Sequence, residues 1–395
     1  MHYWKKYACL FTCYCCFLFS AIAQDTAIRQ PLKIAVFAPV YLDSAFKGND
    51  YKLSNTNSLP RYMLPGLDFY NGVLLAIDSL QAEHAQLEVL FYDSKSLTQP
   101  LPQVLLKPEL NGVSLLIASF NTRNEIKLLA DFALNKNIPL ISATYPNDGG
   151  ITANPFFVLV NPTLPTHCAG LYHYLQRIYP TNSMVMFRRK GLFEDMIQSE
   201  FNTASQQTAG VPLRIKTVEL PDTFNVKQVT GYLDSTKQNI VICGTLNEAF
   251  GVNLVRALDE SKNFPSVAIG MPTWDALKEL DRMNTEIVYS TPFTYNYLRK
   301  DKTGQQLVTK YRARFQARPS DMAFKGFEAL YHFGKLLLRH NNGLINHLSD
   351  KDFHLFNDFD FQPIRLNKEH LLPDYLENKK LYFIRKAGGQ LKSLN

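Results

Sequence analysis

Runs of strand length alternate with segments of helical periodicity along most of this chain, and no other sequence feature constrains its fold as strongly. Residues 32–37 read LKIAVF, and residues 66–81 follow with apolar side chains three and four positions apart. The order repeats with runs at 87–92 and 113–118 and a helical segment at 122–134. Strands and helices in turn predict βαβ units around a parallel sheet, in which helices cover both faces of mostly apolar strands.

The first residues have the layout of a secretory signal peptide. Lys5 and Lys6 precede an uncharged stretch at 7–19, and the A-x-A sequence at 21–23 supplies a cleavage site. The stretch is shorter than the roughly 20 residues that a transmembrane helix needs. Bulky residues before Cys13 disfavour a lipoprotein leader. We therefore expect residues 1–23 to be removed and the protein to be periplasmic.

The alternation starts again after residue 154, where a short apolar run at 156–160 opens a second series of segments. About 370 residues remain after the leader, which is too many for one core and suits two lobes. We expect an α/β protein with two Rossmann-like lobes, each built on a parallel sheet.

The last hundred residues follow a different pattern. Two long helices are predicted at 303–317 and 321–339, with Pro319 ending the first and Ser320 capping the second. Residues 353–366 and 379–385 then alternate apolar and polar side chains, which predicts a late antiparallel hairpin.

Composition excludes several classes of function. Of six cysteines, only Cys168 and Cys243 follow the leader, and their spacing fits neither a disulfide framework nor a metal site. One disulfide bond or two buried thiols both remain open. The net charge of +7 falls to +5 without the two leader lysines, and no basic run is long enough for nucleic acid. We expect no metal and no cofactor.

Three stretches, in this order, carry a resemblance to a known family. They are GLDFYNGVLLAI at 66–77, IPLIS at 138–142, and the pattern Y-x-x-x-F-x-x-R-P-S-x-x-A-F-x-G-F-E-A at 311–329. With the strand at 33–36, they make residues 32–345 resemble the type I periplasmic binding proteins. The leucine and branched-chain amino acid receptors, which are substrate-binding proteins of ABC transporters, are the most similar members.

The resemblance implies that the chain crosses between the lobes three times, through a multi-crossover hinge, and that a ligand binds between them. We expect lobe 1 at 31–154 plus about 291–345, and lobe 2 at 155–290 plus part of 346–395, which also contributes to the hinge. The implied partners are a small-molecule ligand and an ABC permease of the inner membrane. We expect a monomer, although the resemblance does not imply an oligomeric state.

Open α/β sheets bind ligands beyond the carboxyl ends of their strands, which selects candidate residues in lobe 1. Tyr41 follows the first strand, Ser119 and Asn121 follow the third, and Ala143 and Thr144 follow IPLIS. The resemblance implies that the Ser119 hydroxyl holds a ligand carboxylate, with help from backbone N–H groups at the next helix start. Each hydroxyl is equally explained as an ordinary helix cap.

Lobe 2 departs from the family pattern. Phe193 is the aromatic residue in the loop after the strand at 183–187, and Thr245 follows the strand at 239–243. Trp274, Phe293 and Tyr295 predict an aromatic wall for a flat or sugar-like ligand, unless they pack in a core or interface.

The acidic residue that pairs with a ligand ammonium group in the family has no exact counterpart in this chain. Asp275 lies one or two positions away from the expected place, and Glu248 is the other candidate. An ammonium group buried without a carboxylate would be costly, so we do not extend the amino-acid specificity of the family to this chain.

Catalytic motifs are absent from the sequence: it has no G-x-S-x-G, H-E-x-x-H, P-loop or Rossmann glycine pattern. We therefore do not expect an enzyme. One hypothesis is an exported solute-binding protein that holds a small polar ligand for an ABC-type uptake system. The alternative is a ligandless interaction or regulatory module of the cell envelope on the same fold.

Overall fold

The computed structural model describes residues 30–52, 59–294, 301–367, 369 and 371–394. The predicted signal peptide lies outside these residues. The strands are β1 Leu32–Ala38, β2 Phe46–Lys47, β3 Asp50–Tyr51, β4 Leu87–Asp93, β5 Val113–Ala118, β6 Leu140–Ser142, β7 Phe157–Leu159, β8 Ser183–Arg188, β9 Arg214–Glu219, β10 Asn239–Cys243, β11 Ser266–Gly270, β12 Glu286–Thr291, β13 Phe361–Ile364, β14 Tyr375–Asn378, β15 Tyr382–Ala387 and β16 Gln390–Ser393.

The described helices form the outer layers of both lobes. The α-helices are α1 Leu42–Ala45, α2 Leu64–Ala82, α3 Leu101–Val104, α4 Arg123–Lys136, α5 Leu164–Ile178, α6 Leu192–Gln207, α7 Val226–Thr230, α8 Glu248–Glu260, α9 Lys302–Phe315 and α10 Asp321–His340. Short 3-10 helices span Pro108–Leu110, Pro272–Ala276, Lys278–Arg282 and Asn341–Asn346.

Two seven-stranded sheets define the two lobes. The strand order is β13-β14-β7-β6-β5-β1-β4 in lobe 1 and β16-β15-β12-β11-β10-β8-β9 in lobe 2. The strands from β4 to β14 and from β9 to β12 run parallel, whereas β13, β15 and β16 pair antiparallel with their neighbours. The predicted α/β class with two lobes is confirmed, with antiparallel strands added at one edge of each sheet.

Sheet pairing moves the boundary between the lobes. Strand β7 pairs in parallel with β6, with Val158 beside Ile141, so it belongs to lobe 1 and not to the start of lobe 2. The chain enters lobe 2 after β7, returns after β12 and crosses a third time between β14 and β15. The predicted boundary near residue 154 was therefore placed before β7, which is a parallel strand of lobe 1.

The late strands also pair differently from the predicted hairpin. Strand β13 pairs with β14 in lobe 1, while β15 pairs with β12 and β16 in lobe 2. The two segments that we expected to pair with each other therefore lie in different lobes. Only the part of 346–395 that begins at β15 adds strands to lobe 2.

Buried polar groups join the first and third crossings. Glu377 of β14 is buried, and its Oε1 atom accepts hydrogen bonds from the Thr163 amide at 2.7 Å, the Thr163 hydroxyl at 2.8 Å and the Thr166 hydroxyl at 2.6 Å. Lys379 Nζ donates to Glu377 Oε2 at 2.7 Å. One carboxylate thus holds the start of α5 against the third crossing.

A second buried carboxylate supports the return crossing. Glu328 of α10 accepts hydrogen bonds from the amides of Phe356 and Asn357, each at 2.9 Å. The Asn357 side chain in turn accepts from the Thr294 amide at 2.9 Å, directly after β12. The crossings are therefore tied to lobe 1 through fully buried hydrogen bonds, which are costly to leave unpaired.

The two cysteines after the leader are free thiols in separate hydrophobic cores. Cys168 lies on α5 and Cys243 on β10, and both are completely buried. Burial raises the pKa of each thiol to about 12. Of the two alternatives left open by the sequence, the structure has the buried thiols.

Helices α2 and α10 approach each other closely because glycine faces backbone at their contact. A Cβ atom added to Gly72 would lie 2.0 Å from the Ala323 carbonyl oxygen, and one added to Gly326 would lie 2.1 Å from the Phe69 carbonyl oxygen. As predicted, Ser320 caps α10, since its hydroxyl accepts a hydrogen bond from the Met322 amide at 3.3 Å. This helix pair carries the polar groups of α10 to the cleft.

We expect Gly72→Ala to destabilise the protein by at least about 2 kcal/mol, because the new methyl group must push two helix backbones apart. Gly343→Ala is the matched control, since its added Cβ would meet only His347 at 3.9 Å. Urea unfolding of both variants measures the difference. Equal free energies of unfolding would show that the two helices separate without strain.

Candidate functional site

A cavity of about 860 Å³ lies between the lobes beside the crossings. Lobe 1 contributes Lys325 of α10, and lobe 2 contributes Glu248 and Asp275 from the segments that follow β10 and β11. The crossings add Asn161 and Phe293. Polar and aromatic side chains from three separate parts of the chain therefore converge on one space large enough for a small solute.

The carboxyl edge of the lobe 1 sheet brings several of the predicted residues together. Ser119 Oγ and Thr144 Oγ1 lie 3.1 Å apart in a shared hydrogen bond, and the Phe120 amide donates to Thr144 Oγ1 at 3.1 Å. Asn161 Nδ2 donates to the Thr144 carbonyl oxygen at 2.6 Å, and Ala143 is buried beside it. The two hydroxyls thus bond to each other and to backbone.

The start of α4 already holds a negative charge of its own. Glu125 Oε2 accepts hydrogen bonds from the Thr122 amide at 3.2 Å and, more weakly, the Asn121 amide at 3.5 Å. Lys95 pairs with the same carboxylate at 3.2 Å. Asn121 Nδ2 donates to the Tyr41 hydroxyl at 2.6 Å. The backbone N–H groups expected to attract a ligand anion are therefore occupied by Glu125.

Two predicted residues of lobe 2 lie in very different environments. Thr245 is completely buried, where its hydroxyl donates to Glu194 Oε1 at 2.6 Å and accepts from the Asn247 amide at 3.0 Å. Phe193, at the start of α6, is 63% exposed beside the still more exposed Leu192. Thr245 therefore supports the start of α8, whereas Phe193 is open to solvent.

The predicted aromatic wall is divided between a core and the cavity. Trp274 is only 1% exposed and packs against Gly251 and Gly270 in the core of lobe 2, as in the packing alternative. Phe293 lines the cavity, with Lys325 Nζ 4.1 Å from its ring centroid. Tyr295 lies outside the described residues.

Both carboxylates considered for lobe 2 line the cavity. Asp275 Oδ1 accepts a hydrogen bond from the Tyr289 hydroxyl at 3.1 Å, and Glu248 begins α8. His167 also lines the space, with Nδ1 2.9 Å from Ser290 Oγ, and burial lowers its pKa to about 3. The imidazole is therefore neutral at physiological pH, and the carboxylates supply the negative charge.

Sequence reasoning missed Lys325, a cavity lysine without an ion pair in the described part of the chain. Burial lowers the pKa of Lys325 to about 8, an effect that the negative charge of Asp275 partly offsets. The signal was available, because Lys325 interrupts a run of α10 in which Ala323, Phe324 and Phe327 are buried. Sequence reasoning also missed Asn161, which lies just beyond β7. It was missed because β7 was assigned to the other lobe.

No protein-family model matches the chain, and neither does any curated protein sequence. Solved structures match nearly its whole length at low identity. A protein from Rhodospirillum rubrum described as a branched-chain amino acid ABC transporter is 13% identical, with a TM-score of 0.66 over 92% of this chain and 100% of that one. The chain has the fold of the type I periplasmic binding proteins.

Other structures of this fold match over the same extent. An ABC transporter substrate-binding protein from Desulfitobacterium hafniense in complex with Leu is 13% identical, with a TM-score of 0.54 over 92% of this chain and 99% of that one. One from Sphaerobacter thermophilus is 15% identical, with a TM-score of 0.56 over 92% and 96%. Among the described residues, no helix has the length and apolar character to cross a membrane.

We expect Lys325→Met to stabilise the ligand-free protein by about 1–3 kcal/mol at pH 7, because it removes a desolvated charge but keeps an apolar side chain. The gain should shrink as the pH rises from about 8 to 10.5, where the folded wild-type protein loses its proton before the unfolded chain does. Urea unfolding at pH 7 and 9.5 measures both effects. Lower stability of the variant at pH 7 would contradict this account of Lys325.

Proposed function

We propose that this protein is an exported solute-binding protein that holds a small polar ligand in the cavity between its lobes and presents it to an ABC-type permease of the inner membrane. The observation that carries the proposal is the cavity itself, with groups from lobe 1, lobe 2 and the crossings. The structural neighbours are described as ABC transporter proteins, which supports this role.

The crossings suit a hinge between two rigid lobes. Each lobe has its own sheet and hydrophobic cores, while the polar ties of Glu377 and Glu328 anchor the connecting segments. A ligand that contacts both walls stabilises the closed arrangement by its differential affinity for that state. A permease that recognises both lobes then distinguishes loaded from empty protein.

We propose that the site residues predicted from the sequence have different roles, depending on whether they are exposed to the cleft or buried behind it. Phe293 contacts the solute directly, and Tyr41, Asn121 and Phe193 lie at strand ends that approach it when the lobes close. The buried or internally bonded residues Ser119, Ala143, Thr144, Thr245 and Trp274 shape the walls from behind. Exposed groups can reach a ligand, whereas groups with satisfied hydrogen bonds gain little from one.

A thermal-shift screen of the purified protein against sugars, nucleosides, amino acids, short peptides and small carboxylates tests the function. A solute that binds only the folded state adds about 2.7 kcal/mol of stability at a hundredfold excess over its Kd. Small-angle X-ray scattering with the same solute should show a smaller radius of gyration as the lobes close. A cooperative melt that no solute class moves would favour the ligandless envelope module instead.

Phe293→Ala should weaken binding of the solute found in that screen about tenfold, since the aromatic wall of the cavity is lost. Phe132→Ala is the matched control, because Phe132 is a half-buried aromatic residue on α4, outside the cavity, with Lys136 over its ring. Titration calorimetry compares the two. Equal affinities for both variants would place the solute away from Phe293.

A further inference from the structure

We propose that the solute is a small monocarboxylate bearing hydroxyl groups, and that its carboxylate binds Lys325 on α10. The inference rests on the proposed solute-binding function and adds the chemical class and the orientation of the ligand. It is argued from the charges and the unpaired hydrogen-bonding groups of the cavity.

Among the described residues, Lys325 has no partner of opposite charge in contact. Its Nζ lies over the Phe293 ring and makes no ion pair with any residue in the described part of the chain. A ring face stabilises an ammonium group only partly, and a desolvated cation is costly without an anion. The cavity therefore offers a positive charge that a ligand anion can neutralise.

The other two lysines of the cavity differ from Lys325. Lys386 Nζ pairs with Asp281 Oδ1 at 2.5 Å, so its charge is already balanced. Lys278 is exposed, so water screens its charge. Among the cavity lysines of the described chain, Lys325 alone is half-buried and without an ion pair.

The acidic groups of the cavity limit the charge of the ligand. Four carboxylates of the described chain line the same space: Glu248, Asp275, Asp281 and Asp321. Asp281 pairs with Lys386, and Asp275 acts electrostatically on Lys325. A phosphate dianion would meet these carboxylates, with Lys325 as the one half-buried ammonium group of the described cavity lining that has no ion pair. A single carboxylate matches the single cation, because like charges at close range are strongly unfavourable in a site of low dielectric.

In the described part of the chain, Asn161 and Thr273 of the cavity lining each have a buried oxygen atom without a hydrogen-bond partner. Asn161 is 7% exposed and uses its Nδ2 to bond the Thr144 carbonyl, which leaves its buried Oδ1 atom unpaired. The buried Thr273 hydroxyl is also unpaired. A buried acceptor without a donor costs about 1–3 kcal/mol. Hydroxyl groups on the ligand can donate to Asn161 Oδ1 and exchange a hydrogen bond with Thr273.

The opposite orientation, with the carboxylate at lobe 1 strand ends, is disfavoured. The Ser119 and Thr144 hydroxyls bond each other, and Glu125 holds the amides at the start of α4. A ligand carboxylate there would have to displace these hydrogen bonds and approach a carboxylate.

Titration calorimetry with matched solute pairs tests the proposal. The pairs are gluconate with sorbitol, glycerate with glycerol, and glycerol 3-phosphate with glycerol. The carboxylate of the preferred pair should bind at least tenfold more tightly than its neutral counterpart and more tightly than glycerol 3-phosphate. Lys325→Met should then weaken that carboxylate at least fiftyfold and abolish its advantage over the neutral solute.

Lys335→Met is the matched control. Lys335 lies on the same helix, over the Phe353 ring at 5.2 Å, but it pairs with Glu83 at 2.6 Å and lies outside the cavity. This variant should bind the carboxylate within about twofold of the wild type. A cooperative thermal melt of each variant verifies that it is folded.

Three results would overturn the inference and leave solute binding in place. The first is a polyol that binds as tightly as the corresponding carboxylate. The second is a carboxylate that binds the Lys325→Met variant as tightly as the wild type. The third is a neutral or cationic solute from the wider screen that binds although gluconate and glycerate do not. If the Lys325→Met variant binds leucine as tightly as the wild type does, the ligand carboxylate lies elsewhere. That result would overturn the inference in the same way as the second result. Absence of binding by every solute class would refute the solute-binding function together with this inference.

Discussion

A buried carboxylate at the crossings is the interaction on which the two-lobed arrangement depends. Glu377 gathers a backbone amide, two threonine hydroxyls and a lysine from the first and third crossings, so the connecting segments meet at one point. Removal of one partner from such a group leaves buried polar atoms unpaired, which is far more costly than the net gain of any single hydrogen bond. The hinge is consequently a defined structure, and the cavity walls are positioned relative to it.

The polar groups of the cleft are arranged differently from the ligand site that the resemblance to amino acid receptors implies. In lobe 1 the strand-end hydroxyls and the start of α4 are bonded internally, while the uncompensated cation lies on α10, a helix late in the chain. A common fold can support different ligands because recognition depends on a few side chains at the edges of the sheets. At 13% identity, those side chains are free to differ even where the backbones superimpose.

Sequence periodicity was sufficient to predict the class of fold, most strands and the two late helices, because these depend on local spacing of apolar residues. The sheet to which β7 and the last four strands belong was not predictable, since pairing joins residues far apart in the sequence. In the site, the candidate carboxylates Asp275 and Glu248 and the aromatic candidate Phe293 line the cavity. Trp274 was ambiguous because a large aromatic residue suits a core and a cleft equally. Lys325 was overlooked because a single lysine in a helical sequence pattern is usually interpreted as a solvent-exposed residue.

The last strands of the chain have a consequence for the order in which the lobes are completed. Strand β14 adds to β7 in lobe 1 and β15 adds to β12 in lobe 2, and both come from residues after 374. Until these residues emerge from the ribosome or the export channel, each sheet ends in an edge with unpaired backbone groups, which is a template for aggregation. The two lobes are thus finished almost simultaneously by one short segment, and a chain prematurely terminated before that segment would leave both sheets open.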